Sequence, residues 1–194
     1  VTADIKRFVV YRDFSIDDLK LRVGVNNDVA RIDLMSSVAG GTLNIGADVD
    51  IAPDGNMDVI FAADGKNITV GELLSQLKVP DLISDLPMNL EMYVRANGAN
   101  LSELMQTITG PVRVYSDGVG YAHSALVAYM YGTDFLTSLR QSIQDMFNDE
   151  KKYDQIKIKC AALNVKLRDG NIYTEQGVAI ETNAINVRLA GDLD

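Results

Sequence analysis

Two residue types able to do covalent or acid–base chemistry occur once each: His123 is the only histidine and Cys160 the only cysteine. A histidine works as a general base when a second group orients it, and a cysteine as a nucleophile when a cation and a base stand beside it. No orienting partner for His123 is evident, so a structural or solvated imidazole is the simpler reading. Cys160 shares the apolar phase of an alternating segment with Ile156 and Ile158. Free cysteine is among the most buried residue types, so Cys160 is read as packed rather than nucleophilic. Serines are plentiful, but no Gly-x-Ser-x-Gly elbow occurs. Asp48 and Asp50 with Asp54-Gly55 are loosely similar to a calcium loop. Their spacing fails the EF-hand pattern, and alternating acids on a wet strand face account for them. Asn67-Ile68-Thr69 and Asn100-Leu101-Ser102 match glycosylation sequons by pattern, and helix capping explains them more simply. Phosphate loops and dinucleotide fingerprints are missing. The sequence therefore predicts no catalytic residues, no metal site and no cofactor, and the chain is read as not an enzyme.

What remains is a long set of apolar side chains placed at every second residue. Such a period describes antiparallel strands with one apolar and one wet face. The last third shows it best. Ile156, Ile158 and Cys160 alternate with lysines, the phase slips at Ala161-Ala162, and Leu163, Val165 and Leu167 resume it before the turn Asp169-Gly170. Val178 and Ile180 follow, then Ile185, Val187, Leu189, Gly191 and Leu193. The slip reads as a bulge or bend. Upstream, a strand over residues 5–11 precedes alternation at Leu19 to Val25, Ala30 to Leu34, Leu43 to Ile51 and Met57 to Ala63. Asn26-Asn27-Asp28, Gly40-Gly41 and Pro53-Asp54-Gly55-Asn56 supply the turns.

Two short helices interrupt this meander as an internal repeat. Ala62 to Leu77 matches Arg95 to Ile108: each has Asp/Asn-Gly, an Asn two residues later, then Glu-Leu-apolar. The first copy carries two extra residues. Thr69 and Asn100 are the expected N-caps, each with a Glu three residues on. Between the copies runs the strand Met88, Leu90, Met92, Val94, and Val112 and Val114 alternate after Gly110-Pro111. The pattern predicts a helix over residues 124–131, an amphipathic helix over 133–147 and a polar linker over 148–154.

Composition sets the outer limits. A chain of 194 residues with 47% hydrophobic residues can build one domain, and 23% charged residues is not a disordered composition. Its net charge of −9 argues against nucleic acid, whose phosphates need a basic face. No apolar run approaches the roughly 20 residues of a spanning helix. A lone cysteine makes no internal disulfide, so cysteine usage does not decide the compartment. The sequence starts at Val1 without an initiator methionine or signal pattern, and is read as a single domain over residues 1–194, excised from a longer protein.

The C-terminal third also carries a resemblance. Cys160-Ala161-Ala162-Leu163, followed by Val165, Leu167 and Asp169-Gly170, resembles the pattern near the C-terminus of AsmA-like proteins. So does Ala179-Ile180-Glu181-Thr182 followed by Ile185, Val187, Leu189, Gly191 and Leu193. Gly110-Pro111-Val112-Arg113-Val114 with Asp117-Gly118 is similar to the preceding family segment. The resemblance covers about residues 60 to 194; the stretch from Val119 to Tyr131 departs from it by its length. It implies a periplasmic part of a protein anchored in the inner membrane of a Gram-negative bacterium, through parts of the parent chain not present here. It further implies a role in outer-membrane biogenesis and kinship with bridge-like lipid-transfer proteins, whose curved sheet forms an open groove for acyl chains.

The resulting expectation is an α+β fold: a mostly antiparallel, curved and twisted, groove-like sheet with a few short helices. The expected partner is phospholipid or another acyl-chain lipid, with Leu43, Ile45, Val49, Val59, Phe61, Leu90, Met92, Val94, Val165, Leu167, Val187 and Leu189 facing it. The simpler alternative makes the same stripe a dry core under the helices. A second functional class, an assembly scaffold for envelope protein partners, would use the sheet edges or the polar face.

Overall fold

The computed structural model describes residues 1–11, 14–26, 29–77, 83–116, 118–123, 155–183 and 186–193. Among them, twelve strands form one antiparallel sheet. The first half is a plain meander: β1 (Thr2–Tyr11), β2 (Phe14–Asn26), β3 (Val29–Val38), β4 (Gly41–Ile51) and β5 (Met57–Thr69). Helix α1 (Val70–Gln76) and the two-residue β6 (Ile83–Ser84) lead to β7 (Pro87–Gly98), which returns beside β5. Helix α2 (Leu101–Thr107) leads to β8 (Gly110–Ser116), followed by β9 (Gly120–His123), β10 (Gln155–Arg168), β11 (Asn171–Thr182) and β12 (Asn186–Leu193). One edge of β10 pairs with β8 over Ala162 to Leu167 and with β9 over Gln155 to Ile158. Strand β6 pairs with β9.

The sheet is curved, and it is open, with β1 and β12 at opposite ends of the strand order. The expected α+β class is corrected to mostly β. The two described helices have seven residues each and bury none of them, so they cap strand ends rather than form a layer. The helices expected over 124–131 and 133–147, and the linker over 148–154, lie outside the described residues, as does the turn at Asn27-Asp28. Strands β6 and β9, each four residues or fewer, are not foreshadowed by any alternation. No helix among the described residues is long and apolar enough to cross a membrane.

Local chemistry explains the turns. Ala39 and Gly40 take positive φ (46° and 74°), so the turn sits one residue before the expected Gly40-Gly41 pair. Asp169 and Gly170 do the same (49° and 77°), as a two-residue hairpin loop requires. The repeat is real as strand-then-helix, yet its copies differ. Strand β5 does not end at Asp64-Gly65. It passes a bulge, with Asn67 at φ 54°, and pairs Ile68 and Thr69 with Met88 and Pro87. The two extra residues of the first copy thus lengthen the strand. Asn100 caps α2 as expected: its side chain accepts from the Glu103 amide at 3.1 Å, and the Glu103 carboxylate accepts from the Ala99 amide at 2.8 Å. Thr69 occupies the N-cap position of α1 but makes no side-chain capping bond.

The best-packed region is small. Leu86, Ala122 and Ile158 form a buried cluster flanked by Val70, Ile83, Met88, Ala161 and Ile180. It sits where α1, β6 and β9 meet the long strands. A Cβ on Gly120 would fall 2.5 Å from that of Leu86, so only glycine lets Leu86 seat there.

Candidate functional site

Register decides which side chains share a face, since partners across an antiparallel pair point the same way. Leu43 stands opposite Gly65, then Leu90, Val114, Leu163, Val178 and Leu189, one row across seven strands. A second row joins Ala3, Leu21, Leu34, Ile45, Ala63, Met92, Val112 and Val165. A third joins Val23, Ile32, Ala47, Phe61 and Val94, with Val49 opposite Val59 beside it. Leu167 pairs with Gly110, and Val187 with Ile180. The structure therefore brings ten of the twelve expected residues to one face, and the backbone of Val187 and Leu189 is in register with these rows. At about 4.8 Å per strand the longest rows run roughly 30 Å.

Glycine does not break the first row. A Cβ on Gly65 would meet Ile68 at 3.0 Å and Leu90 at 3.2 Å, so the neighbouring side chains already close over it. Leu43, Ile45, Val49, Val59, Phe61, Leu90, Met92, Val165 and Leu167 are half-buried, whereas Val94 is 2% exposed. Covering is thus uneven along an apolar surface that no break in register interrupts between β4 and β8 for the rows through Leu43 and Ile45.

Sequence reasoning missed how the rows are completed. Val112, Val114, Leu163 and Val178 carry the alternation signal, but which strand lies beside which is not written in period two. It also misplaced the phase slip. The irregularity lies between Ile158 and Cys160 in the pairing with β11, not at Ala161-Ala162. Ala161 therefore joins Leu163 on the apolar face, and Cys160 turns to the other side beside Glu181, where it is exposed. The expectation of a packed cysteine is overturned.

The opposite face is polar and laced by cross-strand charge pairs. Arg31 grips Asp48 bidentately, its Nε and Nη2 donating to the two carboxylate oxygens at 2.6 and 2.8 Å. That hydrogen bonding holds the Asp48 carboxyl below the usual carboxylate range and raises the Arg31 guanidinium. Lys159 approaches Glu181 at 3.4 Å, and Glu91 accepts from the Tyr115 hydroxyl at 3.1 Å. Two of the three acids that suggested a calcium loop are otherwise engaged: Asp48 by Arg31, and Asp54 by the Asn56 backbone amide at 3.0 Å. Among the described residues no group of three or more His, Cys, Asp and Glu stands together. Of the two sequons, Asn100 is the α2 cap, and the Asn67 amide donates to the Asn89 side chain at 3.0 Å. His123 ends β9, its backbone opposite Gln155.

Comparison of the chain with protein-family models, curated proteins and solved structures finds no match. The functional reading rests on the geometry of the sheet and on the residues themselves.

Proposed function

We propose that this chain is a non-enzymatic lipid-binding module whose apolar sheet face receives acyl chains in an open groove. The observation that supports the reading is the set of aliphatic rows, continuous across the strands and mostly half-exposed. An acyl chain gains about 0.8 kcal/mol for each CH₂ it removes from water, and needs an unbroken apolar path to collect it. The roughly 30 Å span of the rows is about twice the depth of one leaflet of a bilayer core, so a long acyl chain fits within it. Methionine at position 92 adds a side chain that adapts to varied partners. The AsmA-like pattern at the C-terminus gives this face its context: phospholipid traffic and outer-membrane biogenesis, in the periplasm, on a parent protein anchored in the inner membrane.

An assembly role is the second reading, favoured by one observation. Among the described residues, strands β1 and β12 each pair on one side only, which leaves an edge that can add a strand from an envelope protein partner. Native mass spectrometry of the protein purified from a Gram-negative host separates the two. The lipid module carries co-purified phospholipid that organic extraction releases. Protein free of lipid, in stoichiometric complex with another polypeptide, would favour the scaffold.

A further inference from the structure

We propose that a depression on the polar face, between β8, β10 and β11, binds a phosphate group. It encloses about 740 Å³, and Arg113, Lys166 and Arg168 line it, with no carboxylate among the described lining residues. The composition runs the other way. Acids outnumber lysines and arginines 27 to 18 in this chain, so three cations brought together are a local departure.

Backbone placement assembles the three charges. Arg113 stands opposite Asn164, and Lys166 and Arg168 follow two and four residues later on the same strand, so all three share the polar face. Lys166 pairs with Tyr173, and the Arg168 guanidinium lies 5.3 Å from the centre of the Tyr173 ring, which steadies it by cation–π attraction. Among the described residues neither Lys166 nor Arg168 has a carboxylate within ion-pair distance. Arg113 meets Glu91 only at 3.9 Å, with both side chains about half exposed.

The depression is also shaped by irregular backbone. Strand β11 loses register with β10 between Tyr173 and Val178 and with β12 between Thr174 and Val178, and bulges of this kind re-aim side chains and recur beside binding sites. The Thr174 hydroxyl donates to the Asn164 carbonyl at 3.2 Å and anchors the bulge to β10. At the other end the Gly170 amide donates to the Ile108 carbonyl at 3.2 Å and the Asp169 amide to the Thr109 hydroxyl at 3.3 Å. These bonds tie the β10–β11 hairpin to the turn that enters β8, so the cations are carried by two strands joined at their ends.

Two guanidinium forks and an ammonium match the oxygens of a phosphate, and arginine offers them in bidentate geometry. The site is open to water, so binding is weak and falls with ionic strength. The phosphate can come from a phospholipid headgroup or from a soluble compound. The inference concerns the face opposite the acyl-chain rows and stands without that reading.

The test is an amide-resolved NMR titration of the whole chain, with sodium phosphate and separately with dihexanoyl phosphatidic acid below its micelle concentration. The expected result is saturable shifts at Asn164, Lys166, Arg168 and Tyr173, weakened by added salt. In the Lys166→Gln/Arg168→Gln double variant the affinity drops by roughly tenfold or more. Lys157→Gln, roughly 30 Å away along β10, leaves it unchanged. Tighter binding of phosphatidic acid than of phosphate assigns the source to a headgroup; equal binding assigns it to a soluble phosphate. Absence of saturable shifts at these residues with either probe overturns the site, as does a folded double variant that binds like the wild type. The wild-type titration decides the question even where the variant fails to fold. Failure here leaves the acyl-chain face untouched, because its own test probes the other side of the sheet.

Discussion

Cys160 shows how one extra residue in a strand changes what a side chain can do. Its apolar neighbours in sequence, Ile156 and Ile158, are buried, but the bulge before it turns the thiol to the polar face. A thiol reagent should therefore modify the native protein rapidly, at a rate near that of the unfolded chain. Cys160→Ser should shift the denaturation midpoint by less than about 0.5 kcal/mol of stability, as surface substitutions do. Slow labelling with a loss of about 1–3 kcal/mol would return the cysteine to the core. Asp48 makes the second residue-scale case. Its pair with Arg31 lowers its pKa, so its contribution to stability is present above the unfolded-state pKa and is lost as pH falls through the folded-state one. Carboxyl-carbon NMR titration should find Asp48 titrating below an unpaired aspartate and moving back up in Arg31→Gln; unchanged titration in that variant would remove Arg31 as the cause. The acids at 48 and 50 were legible as a wet strand face. The arginine that engages Asp48 was not, because it sits on another strand, seventeen residues earlier.

At the scale of elements, most strands can be read from period two and from Gly, Asp and Asn turns, and their bounds grow by a few residues at each end. The limits of that reading are physical. Strand β6 has two residues and β9 has four, too few for a period to register. A bulge adds a residue without changing composition, so alternation locates it only to within a residue or two. The repeat was visible as matched Asn and Glu spacings, while the unequal capping of its copies was not. Asn100→Ala should cost about 1 kcal/mol, since it removes the bond to the Glu103 amide. Thr69→Ala should cost markedly less, because Thr69 makes no capping bond. Urea denaturation of both variants checks this; equal losses would mean that the two helices are capped alike after all.

For the molecule as a whole, a compact monomer of 21.2 kDa exposes roughly 9,000 Å². This chain exposes 13003 Å², more than a third above that figure. No side chain among the described residues is less than 2% exposed, as fits an open sheet whose two described helices form no second layer. The apolar face was legible strand by strand. Its continuity was not, because continuity is a property of register, and nothing in a single sequence states that Leu90 meets Val114 or that Leu163 meets Val178. Val94, at 2% exposure, is too buried to report on that face. Met92 is half-buried on it, and Tyr93, next in the chain, points to the polar side at 47% exposure. A photoreactive benzoyl-phenylalanine at each position in turn, irradiated in lipid-replete Gram-negative cells, reports whether lipid meets this face. Circular dichroism and thermal melting first establish that both variants fold. Phospholipid should be captured at position 92 and not at position 93. Equal capture at both positions, or none at either, would contradict an acyl-chain-binding face.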